Sequence, residues 1–313
     1  ELFGTRNRFT LPLSATGSAG MEACLVNLLE PGDRVVVGVH GVFGSRMCEV
    51  ARRAGADVTA VEAPFGQALD PDAMREAISP ATGAILVEPI QGESGVHCAT
   101  PEYLLGLRAL CVERNLLLLL DEVQCGHFRT GNFFGWQTIM AAHPDFAPDA
   151  CSMGKSLAAG LPMGAIWASA PLQDLLGPGT HGTTFGGTPL VSAHALIAIE
   201  IIERDNLAQN ANEIGDYLAE QIGQLIAAHP NVLREVRGLG LMIGVELAEG
   251  IAAFAESKRP ASVQIVERLH AAGLLPIPAG ARVFRLLPPL NISKADADEG
   301  LAIIESVIKE LAS

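Results

Sequence analysis

Apolar, β-branched runs alternate along the first half of the chain with segments of helical periodicity. The runs predict strands over residues 33–40, 57–64, 83–90 and 116–123. The segments between them predict helices over 45–56, 70–80 and 100–115, the last two with Asp70 and Thr100 as N-caps. Repeated strand–helix–strand units form parallel sheets covered on both faces, so the pattern predicts an α/β fold with a mainly parallel sheet.

The second half of the chain begins with two longer amphipathic patterns, at 188–205 and 207–228. Beyond them, the pattern predicts a smaller α/β unit with strands near 232–247 and 282–287 and a last helix from about residue 294. We interpret HPNV (229–232) and PASV (260–263) as structural turns. We therefore expect a large domain over residues 1–206 and a small C-terminal domain over 207–313.

The run LLLLLDEV (116–123) is the most apolar of the predicted strands, and it ends in two acids, Asp121 and Glu122. A strand this apolar is buried on both faces. Ligands of open parallel sheets bind beyond the carboxyl ends of the strands, which makes Asp121 a candidate site residue. The alternative is that the strand ends at the surface and both acids are solvated.

Composition narrows the classes of function. The 313 residues carry a formal charge of −14 and no Lys/Arg cluster, which argues against nucleic-acid binding. No apolar segment has membrane length, so we expect no membrane association. The six scattered cysteines lack metal-ligand spacing, so we predict no metal site and interpret them as reduced thiols of a cytoplasmic protein.

Four further stretches contain candidate chemistry. Lys155, in SMGKSLAAGLPMGAIWAS (152–169), lies among small residues, where partial desolvation would lower its pKa and make it a usable amine. A surface lysine in a loop has the same signature. The turn Thr16-Gly17-Ser18 opens a predicted helix and suits a phosphate, and the hydroxyl-rich stretch 179–190 is a second candidate anion site. Arg285, amid apolar residues, needs a carboxylate partner, for which Glu93 is a candidate.

Taken together, these residues match the requirements of pyridoxal 5'-phosphate. Its aldehyde bonds to a lysine amine, its ring nitrogen pairs with an anion, and its phosphate binds at a helix N-terminus. A nucleotide-binding Rossmann fold is the alternative, but no GxGxxG follows the first predicted strand.

From about residue 81 to its end, the chain resembles the class III pyridoxal-phosphate aminotransferases of fold type I. The motifs that carry the resemblance are VEPIQGESGV, LLLLLDEVQCGHFRTG, GKSLAAGLPMGA, HGTTFGGTPL, RGLGLMIGVEL and RLLPPL. The resemblance implies that Lys155 bonds to the cofactor and shuttles protons, and that Asp121 pairs with the ring nitrogen. It also implies that Val123 packs on the ring and Gln124 approaches the phenolic oxygen. Glu122 would only brace neighbouring loops.

The same resemblance implies the substrates. Arg285 would bind the α-carboxylate of 2-oxoglutarate, and Glu93 would pair with Arg285 when the other substrate is bound. The expected reaction moves an amino group from N-acetylornithine, or a similar ω-amino acid, to 2-oxoglutarate by a ping-pong mechanism in arginine biosynthesis. Thr184 would reach the phosphate of a neighbouring subunit, which implies a homodimer with shared active sites.

Residues 1–80 instead resemble class V aminotransferases of the alanine–glyoxylate or serine–pyruvate type. The turn Thr16-Gly17-Ser18 and the ring-stacking aromatic Phe43 carry this resemblance. Arg46 is a candidate substrate-binding residue. Class III enzymes place this arginine directly after a glycine, whereas here Ser45 lies between Gly44 and Arg46. We expect the family's N-terminal segment to be absent from this sequence.

Three alternatives therefore stay open. In the first, the amino donor would be ornithine or another ω-amino acid. In the second, the enzyme would be of the alanine–glyoxylate type. In the third, the chain would be truncated or chimeric, and would bind the cofactor but turn over poorly.

Overall fold

Strands and helices alternate along the part of the chain that the structure describes. A computed structural model describes residues 10–13, 17–39, 41–63, 69–79, 82–172 and 187–312. The strands in these residues are β1 (Thr10–Leu13), β2 (Arg34–Val39), β3 (Asp57–Glu62), β4 (Thr82–Val87), β5 (Ile90–Gln91), β6 (His97–Cys98), β7 (Leu117–Asp121), β8 (Ala150–Met153), β9 (Gly164–Ala168), β10 (Leu233–Leu239), β11 (Met242–Leu247), β12 (Ile277–Ala279) and β13 (Val283–Leu286). The α-helices are α1 (Gly17–Leu28), α2 (Val42–Arg53), α3 (Pro71–Ala77), α4 (Pro101–Arg114), α5 (Gly135–Ile139), α6 (Pro189–Arg204), α7 (Leu207–Ala228), α8 (Ala261–Ala271) and α9 (Lys294–Ala312).

A seven-stranded sheet has the order β1-β9-β8-β7-β4-β2-β3. The five neighbours from β8 to β3 run parallel, whereas β9 is antiparallel to both β8 and β1. The mainly parallel α/β sheet predicted from the sequence is therefore confirmed. Because β4, β7 and β8 are adjacent and parallel, their carboxyl ends meet at one edge of the sheet.

Strand β7 lies inside this sheet, and its leucines point alternately to its two faces. Leu118 and Leu120 pack in the cluster that contains Leu104 and Leu107 of α4. Leu119 packs on the opposite face in the cluster that contains residues of α1 and α2. Both faces are covered, so the strand tolerates no polar residue before Asp121, which explains the unbroken leucine run.

The two predicted N-caps are confirmed. The side chain of Asp70 accepts a hydrogen bond from the Asp72 N–H at 2.9 Å, and that of Thr100 accepts one from the Tyr103 N–H at 3.2 Å. A proline follows each cap at the first helical position, where the missing N–H costs nothing. These caps fix the starts of α3 and α4.

A second, antiparallel sheet has the order β10-β11-β13-β12. Its hydrophobic cluster takes residues from α7, α8 and α9, all beyond residue 206. This separate cluster supports the division near residue 206, which stays a prediction. One interpretation was wrong: PASV is not a turn, because Ala261 begins α8.

No helix in the described ranges is both long enough and apolar enough to cross a membrane. All six cysteines lie within those ranges and are free thiols. In the same ranges, no three His, Cys, Asp or Glu side chains converge in a way that would hold a metal ion.

Glu122 joins the end of β7 to the start of α5. Its carboxylate is fully buried and accepts hydrogen bonds from the Gly135 N–H at 2.7 Å and the Trp136 N–H at 2.9 Å. The Cys125 thiol is a third donor, at 3.2 Å. Burial raises the pKa of Glu122 to about 7, against the opposing effect of these bonds. Glu122 thus braces the loop that follows β7.

We expect Glu122→Gln to flatten the pH dependence of stability. Because its pKa is raised in the folded state, Glu122 stabilises the fold most below the ordinary glutamate pKa, and this stability is lost as pH rises through about 7. Wild type should lose about 2 kcal/mol from this group between pH 5 and pH 7.5. Glutamine does not titrate, so the stability of the variant should change by clearly less than that of wild type between pH 5 and pH 7.5.

Urea unfolding at the two pH values measures this difference. Glu113→Gln on the exposed face of α4 is the matched control and should track wild type. Curves for Glu122→Gln and wild type that stay parallel across the pH range would contradict the assignment.

Candidate active site

Three ionisable residues lie at the ends of neighbouring parallel strands. Glu88 directly follows β4, Asp121 ends β7, and Lys155 lies two residues beyond β8. Asp121 is in register with Ser152 of β8, and Val87 with Leu120 of β7. The sheet therefore brings two acids and an amine to the same edge.

Lys155 begins a short 3-10 turn, Lys155–Ala158, in a left-handed backbone conformation with φ of 46°. A non-glycine residue rarely adopts this conformation, and such strain is common at functional sites. Its Nζ lies 5.6 Å from the centre of the Phe43 ring, which is itself 36% exposed. The amine and an aromatic face thus border the same open space.

The pKa of Lys155 is lowered, chiefly by desolvation. Lys155 is solvent-exposed as a residue, yet enough protein surrounds its amine to disfavour the charged form. The acids Glu88, Asp121 and Glu93 oppose this shift in their charged forms, whereas the positive charge of Arg285 adds to it. Four ionisable side chains therefore act on the pKa of Lys155.

The Asp121 carboxylate is held from one side by the backbone. Its Oδ1 accepts a hydrogen bond from the Val123 N–H at 2.9 Å. Burial raises its pKa, while the Val123 N–H and the Lys155 charge favour the anion. A cation beside this carboxylate would remove most of the cost of its burial.

Glu88 is a site residue that the sequence analysis missed. Burial and the charge of Asp121 raise its pKa to about 8, which favours the protonated form near neutral pH. Its Oε2 accepts a hydrogen bond from the Gly92 N–H at 3.3 Å. The signal was present, since an acid follows the apolar strand β4 as Asp121 follows the leucines of β7.

Arg285 comes to the site from the second sheet. It is 4% exposed on β13, and its Nη2 pairs with Glu93 Oε1 at 2.8 Å. Its Nη1 donates to Gln124 Oε1 at 3.1 Å. Its Nε is buried without a hydrogen-bond partner in the described part of the chain. Glu93, with 32% of its side chain exposed, is the more exposed member of the pair.

The remaining candidate residues are placed as follows. Gly17 and Ser18 open α1, which packs against β8 and β9, whereas Thr16 and Thr184 lie outside the described residues. Arg46 is not brought to Arg285 or Glu93: it pairs with Glu49 one turn along α2, at 3.0 Å, with 43% of its side chain exposed. The contact places Arg46 on a solvated helix face, and its substrate role stays a prediction.

The residues fit the cofactor expected from the sequence. A half-buried acid without an ion-pair partner in the described residues, an amine of lowered pKa and an aromatic face are the groups that pyridoxal phosphate requires. The unpartnered Nε of Arg285 suits a substrate carboxylate.

Comparison with known proteins identifies the family. The chain is 40% identical over 242 residues to an acetylornithine aminotransferase of Gloeobacter violaceus, an alignment that covers 77% of this chain and 56% of that protein. The ornithine delta-aminotransferase of Plasmodium falciparum superposes with a TM-score of 0.80 at 27% identity, covering 100% of this chain and 76% of that one. The acetylornithine aminotransferase of Elizabethkingia anophelis superposes with a TM-score of 0.76 at 28% identity, covering 99% and 76%.

These alignments also bear on the two parts of the sequence. The chain spans little more than half the length of the curated relatives it matches, 56% and 54% for two of them. The class V resemblance of the first part stays a prediction. The family model described as "Aminotransferase class-III" matches residues 60–308, beginning about twenty residues before the resemblance expected from the motifs. The chain therefore belongs to the class-III aminotransferases.

Proposed function

We propose that this protein transfers an amino group from N-acetylornithine, or a similar ω-amino acid, to 2-oxoglutarate by a ping-pong mechanism. The observation that carries the proposal is the convergence of Lys155 and Asp121 with the Arg285–Glu93 pair. Relatives named acetylornithine aminotransferase support the choice of donor. The proposal places the protein in arginine biosynthesis, in the cytoplasm and as a homodimer.

Class-III aminotransferases depend on pyridoxal phosphate, which stores the amino group between the two half-reactions and withdraws electrons from the substrate carbon. Asp121 would hold its ring nitrogen in the protonated form, since a buried carboxylate favours a cationic partner. Phe43 and Val123 would cover the ring, and Gln124 would approach its phenolic oxygen. The turn Thr16-Gly17-Ser18 and Thr184 of a second subunit would bind the phosphate.

Lys155 has two roles in the proposal. Its lowered pKa increases the fraction of neutral amine, which is the form that bonds to the cofactor aldehyde. With cofactor and substrate bound, the Lys155 Nζ would act as the base that takes a proton from the substrate carbon and as the acid that later gives it back.

Arg285 and Glu93 would let one site accept two differently charged substrates. With an ω-amino donor, Glu93 keeps its bond to Arg285 and neutralises it. With 2-oxoglutarate or glutamate, the substrate carboxylate takes the place of Glu93, which turns toward solvent. The partial exposure of Glu93 makes this exchange sterically feasible.

Ornithine is the second candidate donor, favoured by the superposition on an ornithine delta-aminotransferase. It differs from N-acetylornithine in having a free α-amine, so the two donors place different charges in the same pocket.

The first test locates the cofactor-bonding lysine. Borohydride reduction of the protein loaded with pyridoxal phosphate should fix the cofactor on Lys155, which peptide mass spectrometry detects. Lys155→Ala should lose this modified peptide, whereas Lys258→Ala, a change on the exposed surface, should retain it. A cofactor fixed on another lysine, or on no lysine, would contradict the assignment of Lys155 as the cofactor-bonding residue.

A second test identifies the amino donor. We expect N-acetylornithine to convert the visible absorption of the bound cofactor to that of its amino form, and 2-oxoglutarate to restore it. Faster conversion by ornithine would select the second donor, and conversion by alanine would select the alanine–glyoxylate type. Cofactor binding without conversion by any donor would indicate a chain that binds the cofactor but turns over poorly.

A further inference from the structure

Three residues form one row across the second sheet. Arg237 of β10 is in register with Gly244 of β11, and Gly244 is in register with Arg285 of β13. Residues opposite each other in antiparallel strands point to the same face. An arginine therefore stands on each side of a glycine, and the turn 92–96 lies over this row.

The turn approaches the sheet because Gly244 has no side chain. A Cβ at this position would lie 2.9 Å from the Gly95 carbonyl oxygen and 2.9 Å from the Val96 Cβ. Gly95, on the turn, also needs to lack a side chain for this close approach. It has φ of 132°, and a Cβ there would lie 2.9 Å from Arg237 Nη2. The backbone of the turn is thus seated directly on β11.

The two arginines hold different parts of this turn. Arg285 binds the Glu93 carboxylate at 2.8 Å, and Arg237 donates from Nε to the Gly95 carbonyl at 2.8 Å. Only the first bond has to break when Arg285 takes a substrate carboxylate. The second involves a backbone atom and has no competitor in that exchange.

Arg237 is itself fixed on its far side. Its Nη1 pairs with Glu246 at 2.6 Å and with Glu235 at 2.8 Å, and 14% of its side chain is exposed. Glu246 also accepts from Arg234 and Arg282, both at 3.3 Å. An arginine anchored in such a network is a rigid support for the carbonyl it binds.

We propose that Arg237 is a positioning residue that keeps Glu93 within reach of Arg285 through the reaction cycle, and so sets the preference between the two substrates. The inference rests on the proposed exchange at Arg285. Without the Arg237 bond, the turn would drift after each release of Glu93, and Arg285 would face the ω-amino donor uncompensated. The donor half-reaction then suffers, while the glutamate half-reaction, in which Glu93 is displaced, does not.

The test compares the half-reactions with N-acetylornithine and with glutamate in the protein loaded with pyridoxal phosphate. For Arg237→Met, we expect kcat/KM for N-acetylornithine to fall about tenfold, mainly through KM, with the value for glutamate unchanged. Arg234→Met is the matched control, since Arg234 also binds Glu246 but does not contact the turn, and it should leave the ratio unchanged. An equal loss in both half-reactions would mean a merely structural role and would overturn the proposal.

A double-mutant cycle shows whether the effect runs through Glu93. In a Glu93→Gln background, Arg237→Met should add little, because the group it positions is already neutral. Additive losses would overturn the proposal. Gly244→Ala gives a second route, since its methyl group would displace the turn while leaving both arginines in place, and it should shift the substrate ratio in the same direction.

Hydrogen exchange of the cofactor-free protein tests positioning without activity. Amides of residues 92–96 should exchange faster in Arg237→Met than in wild type or Arg234→Met. Unchanged exchange would overturn the proposal even if activity changed. If wild type converts neither substrate, the proposed function fails, and exchange in the turn still decides whether Arg237 holds it.

Discussion

Asp121 is carried into the protein by a strand of leucines, and its carboxylate has no ion-pair partner within bonding distance in the described residues. A buried anion is unfavourable unless a cation or several donors approach it, and in the described residues the Val123 N–H donates directly to this carboxylate. The nearby amine of Lys155 relieves part of the remaining cost. The edge of the sheet is thus electrostatically incomplete, and a positively charged ring nitrogen would complete it.

The second sheet contributes a contact of another kind. The seven-stranded sheet supplies the amine and the acids, whereas Arg285 arrives from β13. The turn 92–96 lies between the two, with Glu93 reaching one arginine and the Gly95 carbonyl reaching the other. In the proposed mechanism, the reactive groups and the groups that select the substrate therefore lie on different sheets, connected by one short turn that glycines allow to pack closely.

Much of this was accessible from the sequence because the site follows the rule of strand ends. Asp121 could be predicted from an acid that follows a leucine run, and Lys155 from small residues around a single amine. Glu88 has the same signal and was overlooked beside Glu93. Arg237 could not be found in this way, since its partner in the turn is a backbone carbonyl 142 residues away.

Helix α8 was missed for a different physical reason. Its buried face includes Ser262 and Gln264, which interrupt the apolar period. Both are satisfied by backbone carbonyls, Ser262 by Gly280 at 2.7 Å and Gln264 by Arg259 at 2.9 Å. A hydrophobic pattern cannot register polar side chains whose partners are supplied by the tertiary fold.

The Arg285–Glu93 pair joins residues 192 positions apart in the chain, whereas Asp121 and Lys155 are close in sequence and lie at or just beyond the ends of adjacent strands. Closing the longer loop costs more conformational entropy, so the distant pair is disfavoured until both sheets have formed. During folding, the chain would acquire its reactive amine and acid before its means of substrate selection. In the proposed mechanism, the ability to discriminate between substrates is then gained late in folding. A chain that folds incompletely would keep its affinity for the cofactor and lose this discrimination.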